Sequence, residues 1–234
     1  MAPAIGFDLG ETLLTYADTP LSWASLYRPA LECVAEACQA SPDEAAFSRA
    51  EKILAARNTR LHPRTKETSA EKIFAEILTA WAIPTTPQLP ATLAEFFGFF
   101  QQRLVSYPES ATTLAALRAA GYRLGVLTDV PYGMPRTFVE RDLSNGGLGS
   151  AVDVLLTSVE VGWRKPAIPG FHALATALGV AASELWYVGN EEKDIAGAIT
   201  AGATAVLIDR ENRHPRWGQA HTIHDLRELD AIIR

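Results

Sequence analysis

One carboxylate at the end of the first apolar run constrains this chain more than any other feature. Residues 4–14 read Ala-Ile-Gly-Phe-Asp-Leu-Gly-Glu-Thr-Leu-Leu. Ala4 to Phe7 is short and apolar, which predicts a buried strand. Asp8 stands where that strand ends, with Gly10 and Thr12 just behind it. Open α/β sheets place their chemistry outside the carboxyl ends of their strands. Asp8 therefore reads as a reactive group or as an ordinary turn cap, and three later stretches bear on the choice.

The chain between this strand and residue 104 is patterned for helices. Pro20 to Ala40 carries apolar residues near a 3.6 period, at Trp23, Leu26, Tyr27, Leu31, Val34, Ala35 and Cys38. Ser41-Pro42-Asp43-Glu44 reads as a helix start with Ser41 as cap, the helix running to about Leu61. Thr68 or Ser69 caps a third helix through Trp81, with Ile73, Phe74, Ile77 and Leu78 on one face. A fourth is expected over about Ala91 to Val105, its phenylalanines forming core between helices. From Pro108 onward, strands alternate with helices. Strands are expected at Tyr122–Leu127, Val152–Leu156, Leu185–Val188 and Ala203–Ile208, with helices between them and a last one over Leu226–Ile233. Strands separated by helices build a parallel, doubly wound sheet. The expected fold is thus a Rossmann-like α/β core, residues 1–16 and 106–234, with an all-helical segment, residues 17–105, inserted after the first strand.

Composition limits the partners. Hydrophobic residues make up 48% of the 234, enough for a sizeable core. A net charge of −6 argues against a broad nucleic-acid surface. No apolar run reaches the ~18 residues a membrane span needs. The N-terminus has no basic segment and enters a core strand directly, so a cytoplasmic protein is expected. Cys33 and Cys38, the two cysteines, indicate neither a disulfide nor a zinc framework. The five histidines show no metal-ligand spacing.

Four polar clusters fall at or just after expected strand ends: Asp8, Thr128, Lys165, and Asn190 to Asp194. In a parallel sheet those ends share one edge, so distant residues converge. A carboxylate nucleophile, a hydroxyl, an ammonium and further oxygen donors suit a phosphoryl group held with Mg²⁺. Trp163-Arg164 beside Lys165, and Arg57, Arg60 and Arg64 in the helical segment, are further candidates to meet an anion; a solvated loop explains the last three equally well.

In this order the motifs resemble those of the haloacid dehalogenase-like hydrolases with a helical cap inserted after the first strand. The resemblance rests on Asp8…Thr12, Leu127-Thr128, Lys165-Pro166 and Gly189-Asn190-Glu191-Glu192-Lys193-Asp194, and covers residues 4–14 and about 107–210. It implies that Asp8 attacks phosphorus and forms an aspartyl-phosphate that water cleaves. Thr128 would bond the phosphoryl oxygens, and Lys165 would neutralise Asp8 and the phosphate. Asp8, the Gly10 carbonyl, Asn190 and Asp194 would hold Mg²⁺, and Gly189 would let the backbone turn. The implied substrate is a small phosphorylated metabolite.

Two positions depart from the phosphatases of that family. Where they usually carry a second Asp, as general acid and base, this chain has Gly10; Glu11 is the adjacent candidate for that role. Asn190 stands where an Asp is usual, which removes a charge from the metal set. The departures keep two other readings open: a catalytically attenuated binding or regulatory protein, and dehalogenase- or phosphonatase-type chemistry on the same Asp8. For the phosphonatase type a cap lysine is needed, and Lys52, Lys66 and Lys72 are available.

Overall fold

The computed structural model describes residues 4–233. Six strands form one parallel sheet in the order β5-β4-β1-β6-β7-β8. They are β1 Ala4–Phe7, β4 Arg123–Thr128, β5 Val154–Thr157, β6 Leu185–Gly189, β7 Thr204–Ile208 and β8 His221–Ile223. Two further strands, β2 Leu14–Tyr16 and β3 Leu104–Ser106, pair antiparallel outside this sheet. Strand β1 lies between β4 and β6, with Phe7 in register with both Val126 and Val188. The chain leaves β1 to one side and later returns to the other. That is the switch point where a crevice opens at the strand ends, and Asp8 sits at it.

Helices cover both faces. On one, α8 Pro169–Ala177 and α9 Glu192–Ala201 set Phe171, Leu174, Ile195 and Ala198 against Leu127, Tyr187 and Leu207. On the other, α5 Ser110–Ala119 and α6 Arg136–Asn145 pack Leu114, Leu117, Phe138 and Val139 onto Ile5, Phe7, Val126 and Val188. Side chains alternate along β1, so Ile5 and Phe7 face one layer and Ala4 the other.

Between β2 and β3 lie four helices: α1 Tyr27–Ala37, α2 Glu44–Arg57, α3 Ala70–Ala80 and α4 Thr85–Gln101. Their apolar faces meet around Leu31, Leu54, Phe74, Phe96, Phe97 and Phe100, all fully buried. This cluster runs on through Trp23 and Tyr132 into the sheet face that α5 and α6 cover. The phenylalanine stripe is core, as its spacing suggested; Phe74, Phe96 and Phe97 meet edge to face or tilted with centroids 4.7–5.9 Å apart.

Several boundaries differ from the sequence reading. α2 is capped by Asp43, not Ser41: its side chain accepts the Ala46 N–H at 2.7 Å. α4 starts six residues early, at Thr85, because Pro87 falls in the first turn, where no N–H is needed. Val105 belongs to β3. The segment Pro20–Leu26 holds only one 3₁₀ turn, Trp23–Leu26, before α1.

Candidate active site

The site is built at the end of β1 around one buried ammonium. Lys165 Nζ lies 2.7 Å from Asp8 Oδ1 and 2.6 Å from Asp194 Oδ1. It also donates to the Tyr187 hydroxyl at 3.1 Å, which in turn donates to the Leu127 carbonyl at 2.8 Å. Lys165 itself is joined to Pro166 by a cis peptide and its own N–H donates to Asp129 Oδ1 at 3.0 Å. Thus the end of β1, strands β4 and β6, the loop before α8 and the first turn of α9 each send one group to the same point. Lys165 and Asp194 side chains are shielded almost completely, while Asp8 keeps 11% exposure toward a cavity.

The charges here are unbalanced. Two carboxylates share one ammonium at less than 3 Å, which leaves one formal negative charge in a buried place. Burial raises the Asp8 pKa against the pull of Lys165, and with the nearby Asp194 it reaches about 6. Burial alone would lower Lys165, but Asp194 and Asp8 hold it well above the usual lysine range. The Asp129 carboxyl feels burial too, yet Lys165, Lys193 and Arg164 bring it below the usual value.

Asp194 is positioned by its own helix start. Its Oδ2 accepts the N–H of Asn190 at 3.1 Å and of Glu191 at 3.0 Å. Its Oδ1 is fully buried and takes no directed hydrogen bond, meeting Lys165 only as an ion pair. Gly189 permits this close packing: its backbone is not left-handed, and a Cβ there would lie 2.4–2.6 Å from Asp194 side-chain atoms.

Thr128, the last residue of β4, is buried and lines the cavity beside Asp8. Gly10 also lines it, and a Cβ at Gly10 would meet nothing within 4 Å. Glu11 adopts a left-handed backbone, φ 56°, uncommon outside glycine. That turn sends its carboxylate to Thr15 Oγ1, at 2.5 Å, and to the Tyr107 hydroxyl, at 2.9 Å. Asn190 Oδ1 faces Thr12 Oγ1 at 3.4 Å.

The cavity measures about 160 Å³ and is shared between the strand ends and the helical insertion. From the insertion and its linker come Trp23, Arg57, Asn58 and Arg60; from the core come Tyr132, Met134, Arg164 and Lys193. Arg60 pairs with Glu191 across the boundary, and Glu191 with Lys193 at 2.8 Å. Lys193 reaches Asp129 at 3.2 Å. Deeper, Glu67 binds Arg164 and accepts the Ser158 hydroxyl at 2.6 Å. Arg57 instead pairs with Glu76 at 3.1 Å, and Arg64 with Glu67 at 3.2 Å. Nothing in the sequence marks Tyr187, Asp129 or Glu67 as site groups in these roles, apart from the place of Asp129 directly after Thr128 at a strand end.

The donor set suits a hard cation. Asp8, Asp194, the Asn190 amide oxygen and the Gly10 carbonyl are all oxygen ligands. The formal negative charge left over by two carboxylates on one ammonium fits a cation there. Among the described residues no group of three or more His, Cys, Asp or Glu is arranged to hold a metal. Among the same residues no helix is long and apolar enough to cross a membrane.

The chain is similar to known proteins. A family model described as haloacid dehalogenase-like hydrolase matches residues 2–202. Phosphoserine phosphatase of Thermus thermophilus is 36% identical over 162 residues, 68% of this chain and 63% of that protein. (S)-2-haloacid dehalogenase 1 of a Pseudomonas species is 30% identical over 133 residues, 56% of this chain and 57% of that protein. The chain therefore spans less than two thirds of either relative. A crystal structure of a HAD phosphatase from Thermococcus onnurineus superposes with a TM-score of 0.68 at 26% identity, covering 100% of this chain and 98% of that one.

Proposed function

The chain belongs to the haloacid dehalogenase-like hydrolase family, and from that membership we propose that it is a phosphatase of a small phosphorylated metabolite, working through Asp8. The observation that carries this reading is the 2.7 Å contact of Lys165 with Asp8, which lines the cavity. The phosphatase relative supports the substrate class.

A phosphate monoester enters with its phosphorus facing the Asp8 carboxylate. Lys165 and the Thr128 hydroxyl hold the phosphoryl oxygens as charge spreads over them. An Asp8 oxygen forms a bond to phosphorus while the bond from phosphorus to the ester oxygen breaks. Water then attacks the aspartyl-phosphate, releasing inorganic phosphate and restoring Asp8. Asp8, the Gly10 carbonyl, Asn190 and Asp194 are the residues proposed to hold Mg²⁺. When bound, the cation neutralises phosphate charge and orients the phosphoryl group. Glu11 is the group proposed to protonate the leaving oxygen. It lines the cavity, and taking that role requires release from Thr15 and Tyr107. The helical insertion acts as the cap: Arg60 on Glu191 and Glu67 on Arg164 hold it over the strand ends, where it excludes water.

The test is phosphate release from an aryl phosphate, with and without Mg²⁺, by wild type and Asp8→Asn. Turnover that needs Mg²⁺ and falls roughly 10³-fold or more in Asp8→Asn is expected. Activity surviving in the variant refutes the reading.

A second reading is dehalogenation through carbon attack by Asp8, since one relative is an (S)-2-haloacid dehalogenase. Asp194 already engages Lys165 and two backbone N–H groups, and Gly10 supplies no acid. Halide release from 2-haloacids, in place of phosphate release, identifies that chemistry; neither product leaves a binding protein that turns nothing over.

A further inference from the structure

One buried acid in the cavity has no part in the chemistry above. Asp142, on α6, is 1% exposed and lines the same cavity as Asp8. Its Oδ2 accepts the Tyr16 hydroxyl at 2.5 Å and its Oδ1 accepts the Gln101 amide at 2.7 Å. Both donors are neutral. Among the described residues no ion pair reaches Asp142. The cation nearest in charge effect, Arg141, turns to the Gln101 amide oxygen at 3.4 Å and lies 5.2 Å from the Phe138 ring centroid. Burial raises the Asp142 carboxyl to about 6, so it is still largely ionised at neutral pH.

A buried carboxylate with hydrogen bonds but no counter-charge is costly. Each of its oxygens keeps a second lone pair, free to accept from a ligand. The surrounding wall is apolar and aromatic, with Trp23, Tyr132, Met134 and Val139 lining the same space. Low local polarity strengthens any charge pairing made there. Asp142 thus lies on the wall of the same cavity that Asp8, Arg164 and Lys193 line, and it alone of these carries no ion pair. A hydroxyl on the ligand would complete the hydrogen bonding and leave the charge unmet; an ammonium does both.

We infer that Asp142, held by Tyr16 and Gln101, is an ammonium-recognising subsite, so that the substrate is a small phosphomonoester bearing a primary amine away from its phosphate. The inference rests on reading the Asp8–Lys165 end as the phosphate site. Its test reads binding and needs no turnover. Calorimetry compares ω-aminoalkylphosphonates of two to four carbons with alkylphosphonates of the same lengths. Wild type is expected to bind the amine at least tenfold more tightly at one length. Asp142→Asn is expected to reduce that advantage to threefold or less, with the plain alkylphosphonate within threefold of wild type. Equal affinity for amine and alkyl ligands at every length overturns the inference, as does an advantage that survives in Asp142→Asn. The wild-type comparison decides by itself if the variant does not fold. Binding by no phosphonate at all overturns the phosphate site as well, whereas binding blind to the amine overturns only this subsite.

Discussion

Lys165 compensates two buried carboxylates at once, so the three residues do not contribute equally to stability. Removing the ammonium in Lys165→Met leaves Asp8 and Asp194 facing each other without a counter-charge. Breaking a buried pair this way costs about 3–5 kcal/mol. Asp8→Asn is far milder, because Lys165 keeps Asp194 at 2.6 Å. Urea denaturation of the two variants is expected to show that asymmetry; equal stabilities would mean that the carboxylates are not both ionised in the folded protein. Gly10 allows the opposite experiment. Since a Cβ there meets nothing within 4 Å, Gly10→Asp is accommodated and sets a carboxylate on the cavity wall. A missing general acid and base costs about 10²–10⁴-fold. Aryl-phosphate turnover is therefore expected to rise roughly ten- to a hundred-fold in Gly10→Asp, with unfolding unchanged. A folded variant with an unchanged rate would show that leaving-group protonation does not limit the reaction.

The helical insertion meets the strand-end edge through two contacts of different depth. Arg60 with Glu191 is partly solvated, its side chains 39% and 19% exposed. Glu67 with Arg164 is buried, at 2% and 5%, and Glu67 also takes hydrogen bonds from Ser158, Arg64 and the Thr68 N–H. Surface pairs contribute about 0–1 kcal/mol, whereas one broken partner in a buried network costs several. Glu191→Gln is expected to lower stability by less than about 1 kcal/mol. Glu67→Gln is expected to cost about 3 kcal/mol and to speed amide exchange across residues 60–70 and 158–165 together. Exchange confined to one of those segments would show that the contact does not couple insertion and core. Neither pairing was legible in the sequence, because each joins segments about a hundred residues or more apart, with no local periodicity to mark it.

For the whole molecule, Asp142 predicts a pH dependence with a definite sign. Its folded pKa, about 6, lies above the ordinary 3.8, so the folded state holds its proton more tightly than the unfolded chain. This group's stabilisation is full below about pH 4 and is lost as pH rises through 6, a span worth at most about 3 kcal/mol. Asp142→Asn removes that dependence, so the variant gains on wild type between pH 4.5 and 7.5. Parallel stability curves over that range would contradict it. The sequence by itself determined the core strand ending in Asp8, most of the helices and the alternation that makes the sheet parallel. These follow from periodicity and turn chemistry within a few residues, and the parallel sheet brings Asp8, Thr128, Lys165 and Asp194 to one edge. Only the tertiary structure decided what depends on contact across the chain. It paired Leu14–Tyr16 with Leu104–Ser106, short strands with no pattern of their own. It turned Glu11 toward Thr15 and Tyr107 through a left-handed backbone. It buried Asp142 against Tyr16, because burial and charge balance are properties of the packed whole and no single stretch encodes them.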